Sequence, residues 1–582
     1  MPDSNSSAPE AVDCTGQRQC ESFRDLRWLG VLLGGIIAFQ VAVITLGNSS
    51  FGSGSDAGGR MAAVAAGAEN GGCDHDLGYW ASDVDPDGAF HPLTRTTRTG
   101  RSYVQPADVL FVCAASAAWS VFGATSAFWV PVAGVLMAAA GAWMIDRHGG
   151  GTGWRGAVFV GVLGPVAFYG ADLWEHAPST GAAVLGTACL LSRTDRWTGL
   201  LGGALWGIAV SFRLEAGIVA VALGLVILFT PALRLFLMRA KIRAALFTVA
   251  AVSVFVVDRL LEQLVLASAV RNDRVVGPGP SGGGLAGQVG SDLGQRVRDV
   301  LVTNVGIIAN DRDIGGFVLG TLYLAALVVL SIGVTGRRLP RWIRVLSIVW
   351  VVIVSLMIAV DPSFVPGMFV AAPLAALGAV CASARGPSSS VPLALGRAGL
   401  LSLPLIWAFQ WTGSLSAQWG GRYQLTVAAF LTLSGLPAMR NTRDRSAALT
   451  LVGASVVVGL VAMVWHVERT NDIGPVFAEL ASVECPGQLI VSTHEFLIRE
   501  GGGTGPVQEQ RLGNCRLLST TPAGAIDALD VALETGREAA TILYAGSVDR
   551  SRLELDHWDI DSVELLDAGR IPLTVVQVSR QE

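Results

Sequence analysis

Long apolar runs separated by short polar connections fill the chain between residues 28 and 467. A membrane-spanning helix needs about 20 mainly apolar residues, and thirteen runs in this region approach that length. The pattern therefore predicts a polytopic α-helical membrane protein with about 13 transmembrane helices. The predicted spans are Trp28–Leu46, Phe128–Ile145, Arg155–Ala171, Ser179–Leu191, Gly199–Phe212, Ala216–Phe229, Ile242–Leu260, Phe317–Val334, Trp342–Val360, Gly367–Ala384, Leu395–Trp411, Tyr423–Ala438 and Leu449–Val467.

Arginines are concentrated in alternate connections between these runs. Short loops rich in arginine remain in the cytoplasm. All the arginine-rich connections are cytoplasmic only if the apolar piece Ala107–Gly123 does not cross the bilayer. We therefore predict that Ala107–Gly123 is an interfacial or re-entrant helix on the outer side. The result is a multi-pass plasma-membrane protein with a cytoplasmic N-terminus and an extracytoplasmic C-terminus.

The polar segments complete the predicted domain organisation. The C-terminal part alternates short β-branched runs with a helical pattern, which is typical of a small α/β domain. Two cysteines in it, Cys485 and Cys515, could form a disulfide in an oxidising compartment. The predicted divisions are a cytoplasmic tail at 1–27, a transmembrane domain at 28–467 with outer loops at 47–127 and 262–315, and an extracytoplasmic α/β domain at 468–582.

Composition agrees with the membrane assignment. The 582 residues are 51% hydrophobic and 15% charged, whereas soluble domains carry about 25% charged residues. No nucleic-acid partner is expected. The glycine-rich tract Val276–Gly290 lacks the Gly-Lys-Ser/Thr sequence and the preceding strand of a phosphate loop, so nucleotide binding is not predicted either.

The polar stretch Gly71–Thr99 concentrates acids between two strongly apolar regions, and it follows the first span. It contains Asp74 and Asp76, followed by an aromatic pair that begins at Tyr79. Loops longer than about 12 to 15 residues are usually functional or disordered. We therefore expect this loop to carry chemistry.

Three further polar motifs fall on the same predicted outer side. Ionisable groups at mid-membrane cost roughly 2.5 to 3.5 kcal/mol each, so several of them meeting at one face of the membrane indicate a site. The motifs are Asp172-Leu-Trp-Glu175-His176, Phe212-Arg213-Leu-Glu215 and Gln418-Trp-Gly-Gly-Arg422-Tyr423.

Together, the motifs resemble those of the GT-C glycosyltransferases, of the protein O-mannosyltransferase and lipid A aminoarabinose transferase type. The first loop has the family's acid followed by an aromatic pair. The outer acidic motif, the Arg-x-Glu turn and the late Trp-Gly-x-Arg-Tyr-like stretch follow in the family's order. The resemblance covers about residues 28–467. It implies a hexosyl- or pentosyltransferase that takes sugar from a polyprenyl-phosphate donor and inverts its configuration.

The resemblance also implies roles for particular residues. A first-loop carboxylate acts as general base on the acceptor hydroxyl, and the matching position is Asp76, with Asp74 second. Both could instead cap turns, a common use of Asp. The group Asp172, Glu175 and His176 could orient a sugar or hold Mg²⁺ or Mn²⁺, or could be a polar helix end.

Arg213 and Arg422 are candidates for binding the lipid phosphate, because guanidinium binds phosphate in a bidentate way. Alternatively, Arg213 pairs with Glu215, and Arg422 extends to the membrane interface. Trp419 and Tyr423 could stack on sugar, or belong to the aromatic belt. Tyr79 of the first loop is a further candidate for substrate binding.

The expected partners are the polyprenyl-phosphate sugar, a glycan, lipid or protein acceptor of the cell envelope, and membrane lipids. The alternative function is a transporter or flippase of a lipid-linked or polysaccharide intermediate. A transporter should show paired repeats and ionisable residues near the midplane. No clear repeat is found, and the polar groups collect at one face, so the transferase is favoured.

Overall fold

A computed structural model describes most of the chain. Gln418, the glycine-rich tract Val276–Gly290 and most of the predicted outer loop 262–315 lie outside the described residues. The structure describes residues 14–581 apart from 94–95, 100–101, 106, 192–195, 232, 236–239, 267–299, 309–313, 362–364, 385–389, 410–418, 484, 486–487, 504, 549–552, 554, 556 and 569–570.

Most described residues are helical. The helices are α1 Cys14–Leu46, α2 Ser55–Glu69, α3 Val109–Phe122, α4 Trp129–His148, α5 Trp154–Gly161, α6 Pro165–Gly170, α7 His176–Leu191, α8 Arg196–Phe212, α9 Leu214–Phe229, α10 Lys241–Val265, α11 Ile314–Val334, α12 Arg341–Val360, α13 Met368–Ala371, α14 Pro373–Ser383, α15 Val391–Phe409, α16 Leu425–Arg440, α17 Arg445–Ser482, α18 Glu495–Glu500, α19 Gly505–Arg511 and α20 Ala525–Glu534.

Seven helices in the described part of the chain are long and apolar enough to cross a membrane. Large apolar side chains are exposed along several of them, for example Val249 and Val256 on α10 and Leu346 and Ile353 on α12. Such surfaces suit contact with lipid, as expected of a multi-pass membrane protein. The seven segments are Arg27–Leu46, Ala124–His148, Lys241–Val265, Gly315–Val334, Arg341–Val360, Val391–Ala408 and Arg445–Ser482.

The remaining predicted spans are shorter or interrupted helices. Arg155–Ala171 is divided into α5 and α6 before Pro165, and Gly367–Ala384 is divided into α13 and α14 before Pro373. Proline lacks the N–H of a helical hydrogen bond and clashes with the preceding turn. The helices α7, α8, α9 and α16 have only 16 or 17 residues. By the length and composition of the described helices, seven spans are found, so the predicted number of about 13 is not confirmed.

The helix α17 runs without a break through residue 468, where the tail was predicted to begin. The described strands are β1 Thr97–Thr99, β2 Ser102–Val104, β3 Ile307–Ile308, β4 Val365–Pro366, β5 Leu489–Ser492, β6 Arg516–Ser519, β7 Ala539–Ala545, β8 Trp558–Ala568 and β9 Ile571–Arg580.

The last five strands form one sheet beyond α17, in the order β6-β5-β7-β9-β8. In this sheet β5 is parallel to β6 and β7, and β9 is antiparallel to β7 and β8. Buried alanines and Leu529 of α20 contribute to a core with the sheet.

The first loop contains two helices and packs on the C-terminal region. The apolar piece predicted to lie at the interface forms α3, whose N-terminus is capped by Asp108 through a 2.9 Å bond from the Phe111 amide. Ser116 of α3 donates a hydrogen bond to the Val64 carbonyl oxygen of α2. A disulfide between Cys73 and Cys113, which was not predicted, joins the acid-rich stretch to α3.

The C-terminal disulfide between Cys485 and Cys515 is present, as anticipated. The first loop and the C-terminal region also share one hydrophobic core. Phe51 and Leu77 of the loop pack in it with Phe477 of α17 and Ile490 of β5. This shared core fixes α2 against the C-terminal region.

Candidate active site

Asp56, in the first turn of α2, is contacted by arginines from two distant parts of the chain. Its Oδ2 lies 2.6 Å from Nη1 of Arg422, and its Oδ1 lies 3.3 Å from Nη2 of Arg499. Burial alone would raise the pKa of Asp56, but Arg422, Arg60 and Arg499 hold that pKa well below its usual range. The lowered pKa keeps this carboxylate ionised, and the Asp56 side chain is 17% exposed, so it can be reached.

Glu175, between α6 and α7, binds two more arginines. Nε and Nη2 of Arg60 each lie 3.2 Å from one oxygen of Glu175, a bidentate pair. Arg213 donates to Oε1 of Glu175 at 3.1 Å and makes two bonds, of 2.8 and 3.2 Å, to Glu215. Burial opposes ionisation of Glu175, yet Arg60 and Arg213 lower its pKa to about 2.

These contacts bring residues from five separate segments to one place. The cluster contains four guanidinium groups and three carboxylates, so as a unit it has an excess of one positive charge and suits an anionic ligand. Several of its members lie at helix ends, where the helical layer meets the polar loops. We call it the arginine–carboxylate cluster, and it consists of Asp56, Arg60, Glu175, Arg213, Glu215, Arg422 and Arg499.

Aromatic rings lie over the guanidinium groups of Arg422 and Arg213. The Arg422 guanidinium lies 4.6 Å from the Tyr423 ring centre and 4.9 Å from that of Trp174. Arg213 also lies 4.9 Å from the Tyr423 ring centre. These cation–π contacts hold the guanidinium planes in place. The His176 ring packs against the Trp174 ring in a T-shaped arrangement. Nε2 of His176 is buried and has no hydrogen bond within the described residues.

The structure therefore brings together most of the predicted motif residues. Glu175, Arg213, Glu215 and Arg422 belong to the cluster, and Tyr423 lines it. The predicted local pair between Arg213 and Glu215 is present alongside the contact to Glu175.

Asp172 does not belong to the cluster as defined above. Its carboxylate accepts a hydrogen bond from the Ser53 hydroxyl. With Asp172 on Ser53 and Glu175 bound by two arginines, these two carboxylates do not converge with His176 on one point. The described residues hold no group of three or more His, Cys, Asp or Glu that could bind a metal ion. The geometry thus gives no support to the predicted Mg²⁺ or Mn²⁺ at these residues.

The acids of the acid-rich stretch form hydrogen bonds within the first loop. Oδ1 of Asp76 accepts bonds from the amides of Gly78 (3.2 Å) and Tyr103 (2.9 Å), and Oδ1 of Asp74 accepts one from the Asp76 amide (3.0 Å). The Tyr79 hydroxyl donates to Asp85. None of these hydrogen bonds reaches the described members of the cluster. The structure gives Asp74 and Asp76 the alternative role of supporting turns.

Sequence reasoning missed Asp56 and Arg499. A signal for Asp56 was available, since Ser55-Asp56 opens an alanine-rich run and Arg60 follows four residues later. The segment of Arg499 offered no comparable pattern.

No protein-family model matches the chain, and no curated protein matches it significantly. Among solved structures, the chain is similar to ArnT from Cupriavidus metallidurans in the apo state, with 12% identity and a TM-score of 0.43 over 95% of this chain and 98% of ArnT. It is also similar to the Archaeoglobus fulgidus oligosaccharyltransferase tethered to an acceptor peptide containing the NVT sequon (11% identity, TM-score 0.41, covering 89% of this chain and 69% of that one).

A third similar structure is the oligosaccharyltransferase AglB from Archaeoglobus fulgidus in complex with an inhibitory peptide and a dolichol-phosphate, with 11% identity and a TM-score of 0.41 over 88% of this chain and 69% of AglB. ArnT and AglB are GT-C superfamily enzymes, the class that the sequence motifs resemble.

Proposed function

We propose that this protein is a membrane glycosyltransferase that moves a sugar from a polyprenyl-phosphate donor to a cell-envelope acceptor on the outer face, with inversion. The observation that carries the proposal is the reachable, ionised carboxylate of Asp56 within a cluster rich in arginine. A base and a binding site for an anionic leaving group are thereby placed side by side.

In the proposed reaction, Asp56 replaces Asp76 and Asp74 as the general base. It takes the proton of the acceptor hydroxyl while the oxygen attacks the anomeric carbon. The bond from that carbon to the phosphate oxygen breaks, and polyprenyl phosphate leaves with the bonding electrons. In-line attack from the face opposite the phosphate inverts the configuration. The negative charge of the leaving group is stabilised by Arg422 and Arg213.

The ion pair between Asp56 and Arg422 links donor binding to catalysis. A carboxylate with a strongly lowered pKa is a weak base, and general bases work best with a pKa near the working pH. A donor phosphate that binds Arg422 would loosen its 2.6 Å contact with Oδ2 of Asp56. The base would therefore become stronger when the donor is bound.

A lipid carrier is supported by an apolar groove of about 720 Å³ between α8, α9 and α10. Its lining includes Val210, one turn before Arg213, and apolar residues such as Leu223 and Phe247. Arg234 and Lys241 lie at its other end. A prenyl chain fits such a lining better than a water-soluble nucleotide does.

The outer location is supported by the two disulfides, one in the first loop and one in the C-terminal region. Disulfides persist in oxidising compartments and are rare in the cytosol. The cluster takes Asp56 from the first loop and Arg499 from the C-terminal region, the two parts of the chain that carry the disulfides.

The proposal is tested with purified protein, a panel of radiolabelled polyprenyl-phosphate sugars and an envelope extract as acceptor. We expect release of polyprenyl phosphate with at least one donor, and a product of inverted configuration. Donor consumption with retained configuration would contradict the in-line mechanism. Movement of intact donor across a vesicle membrane without sugar transfer would favour a flippase instead.

Arg422→Gln is expected to weaken donor binding by roughly 10- to 100-fold, because a hydrogen bond to a charged group contributes about 1.5–3 kcal/mol. Binding of polyprenyl phosphate to the purified variant measures this directly. Arg440→Gln serves as control, since Arg440 contacts Asp146 and the Gly149 carbonyl, which lie outside the cluster. Equal affinity of the Arg422 variant and the wild type would remove Arg422 from the phosphate site.

A further inference from the structure

The short helix α18 lies directly on the first turns of α2. The Gly52 amide donates a 3.0 Å hydrogen bond to the Glu500 carbonyl oxygen. A methyl group at Gly58 would lie only 1.8 Å from the Arg499 carbonyl oxygen. Only glycine therefore permits this backbone approach, which brings Arg499 next to the turn that carries Asp56.

The Arg499 side chain extends from this contact into the site. It is 2% exposed, and its Nη2 reaches Oδ1 of Asp56, while Nη1 of Arg422 lies 2.6 Å from Oδ2. A methyl group at Gly59 would lie 2.9 Å from Nη2 of Arg499. The guanidinium is thus enclosed between the α2 backbone and the carboxylate.

Neighbouring contacts hold the α18 segment in position independently of Asp56. Arg469 of α17 pairs with Glu500 at 2.6 Å, and Arg511 donates to the Gly501 carbonyl oxygen. The shared hydrophobic core lies beneath the same segment. Arg499 therefore approaches Asp56 from a fixed support.

We propose that Arg499 is a positioning residue, supplied by the C-terminal region, that holds Oδ1 of Asp56 so that Oδ2 faces the acceptor hydroxyl once the donor has engaged Arg422. Arg499 does not touch the reacting atoms; it acts through Asp56. The C-terminal region is then part of the catalytic machinery and not only a cap or a recognition surface. This inference rests on the proposed function.

The first test is Arg499→Gln, with Arg469→Gln as the matched control. Both changes remove a largely buried arginine from the same interface, but only Arg499 contacts Asp56. We expect kcat of Arg499→Gln to fall on the order of 100-fold, as misplacement of a reacting group by about 1 Å does, with donor affinity within threefold of wild type. Arg469→Gln should keep kcat within about threefold, because the Arg511 contact and the shared hydrophobic core still hold the α18 segment. Equal losses in the two variants would overturn the proposal, because they would indicate a structural role.

The second test combines Arg499→Gln with Asp56→Asn. If Arg499 acts through Asp56, the double variant should be no slower than Asp56→Asn alone, since the effects of coupled residues are not additive. A further 100-fold loss in the double variant would show that Arg499 acts elsewhere and would overturn the proposal.

Gly59→Ala provides a test that leaves every charge in place, should Arg499→Gln fail to fold. Its methyl group must displace the guanidinium, so kcat is expected to fall about tenfold while donor affinity stays unchanged. Gly54→Ala is the control, because a methyl group there meets no atom within 4 Å. Unchanged kcat in Gly59→Ala would overturn the inference. If Asp56→Asn itself retains full activity, the proposed base is wrong, and the inference about Arg499 falls with it.

Discussion

Asp56→Asn is expected to lower kcat by about 10² to 10⁴, the usual contribution of a general base, while donor binding is retained. The amide keeps the size of the carboxylate and one acceptor oxygen, but it cannot take a proton from the acceptor hydroxyl. Single-turnover release of polyprenyl phosphate, measured beside donor affinity, separates loss of chemistry from loss of binding.

Asp76→Asn and Asp74→Asn are the matched controls, since both lie in the first loop and both support turns. We expect each to keep kcat within a few-fold of wild type. Full activity of Asp56→Asn together with inactive Asp76→Asn would return the base to the acid-rich stretch and refute the assignment made from the structure.

Glu175→Gln is expected to lower the free energy of unfolding by about 3–5 kcal/mol, the usual loss when one partner of a buried ion pair is removed. Glu175 is 1% exposed and forms ion pairs with both Arg60 and Arg213. Arg213 would keep Glu215, whereas Arg60 would lose its bidentate partner. Thermal unfolding of the detergent-solubilised protein measures the change.

The control for this prediction is Glu538→Gln, which removes an exposed pair with Arg580 at 3.9 Å. That variant should unfold within about 0.5 kcal/mol of wild type, because surface pairs contribute little. Similar destabilisation by the two substitutions would mean that the charge of Glu175 is not needed to hold the buried arginines.

The same ion pairs predict a pH dependence of stability. The pKa of Glu175 is about 2 in the folded protein and about 4.3 in an unfolded chain. Its stabilisation is therefore fully present above the unfolded pKa and is lost as the pH falls toward the folded one. The difference in melting temperature between wild type and Glu175→Gln should shrink between pH 5 and pH 3. A constant difference over that range would contradict the charged state assigned to Glu175.

The parts of the site that sequence could predict are those in short motifs at helix ends. Glu175, Arg213 and Arg422 each stand next to an apolar run that forms a helix, so their position at the helix ends followed from the pattern. Their mutual contacts required the packing of α7, α9 and α16, which periodicity does not specify. The interruptions at Pro165 and Pro373 in two predicted spans were missed because mean hydropathy over a window ignores a single proline.

The prediction of Asp76 or Asp74 as the base rested on a different kind of signal. A high density of acids was interpreted as chemistry, but short Asp side chains also satisfy backbone amides in turns, as Asp76 does at Gly78 and Tyr103. A working carboxylate is identified by the charges that surround it. For Asp56 those come from residues 366 and 443 positions later in the chain, Arg422 and Arg499. Only tertiary structure brings them together.

The core shared by Phe51, Leu77, Phe477 and Ile490 has a consequence for engineering. Exchanging the C-terminal region between related proteins would leave α2, which carries Asp56, facing a foreign partner. We expect a folded chimera to need residues 51–93 and 473–580 to be transferred together. The two segments stand far apart in the chain, but they pack as one structural unit.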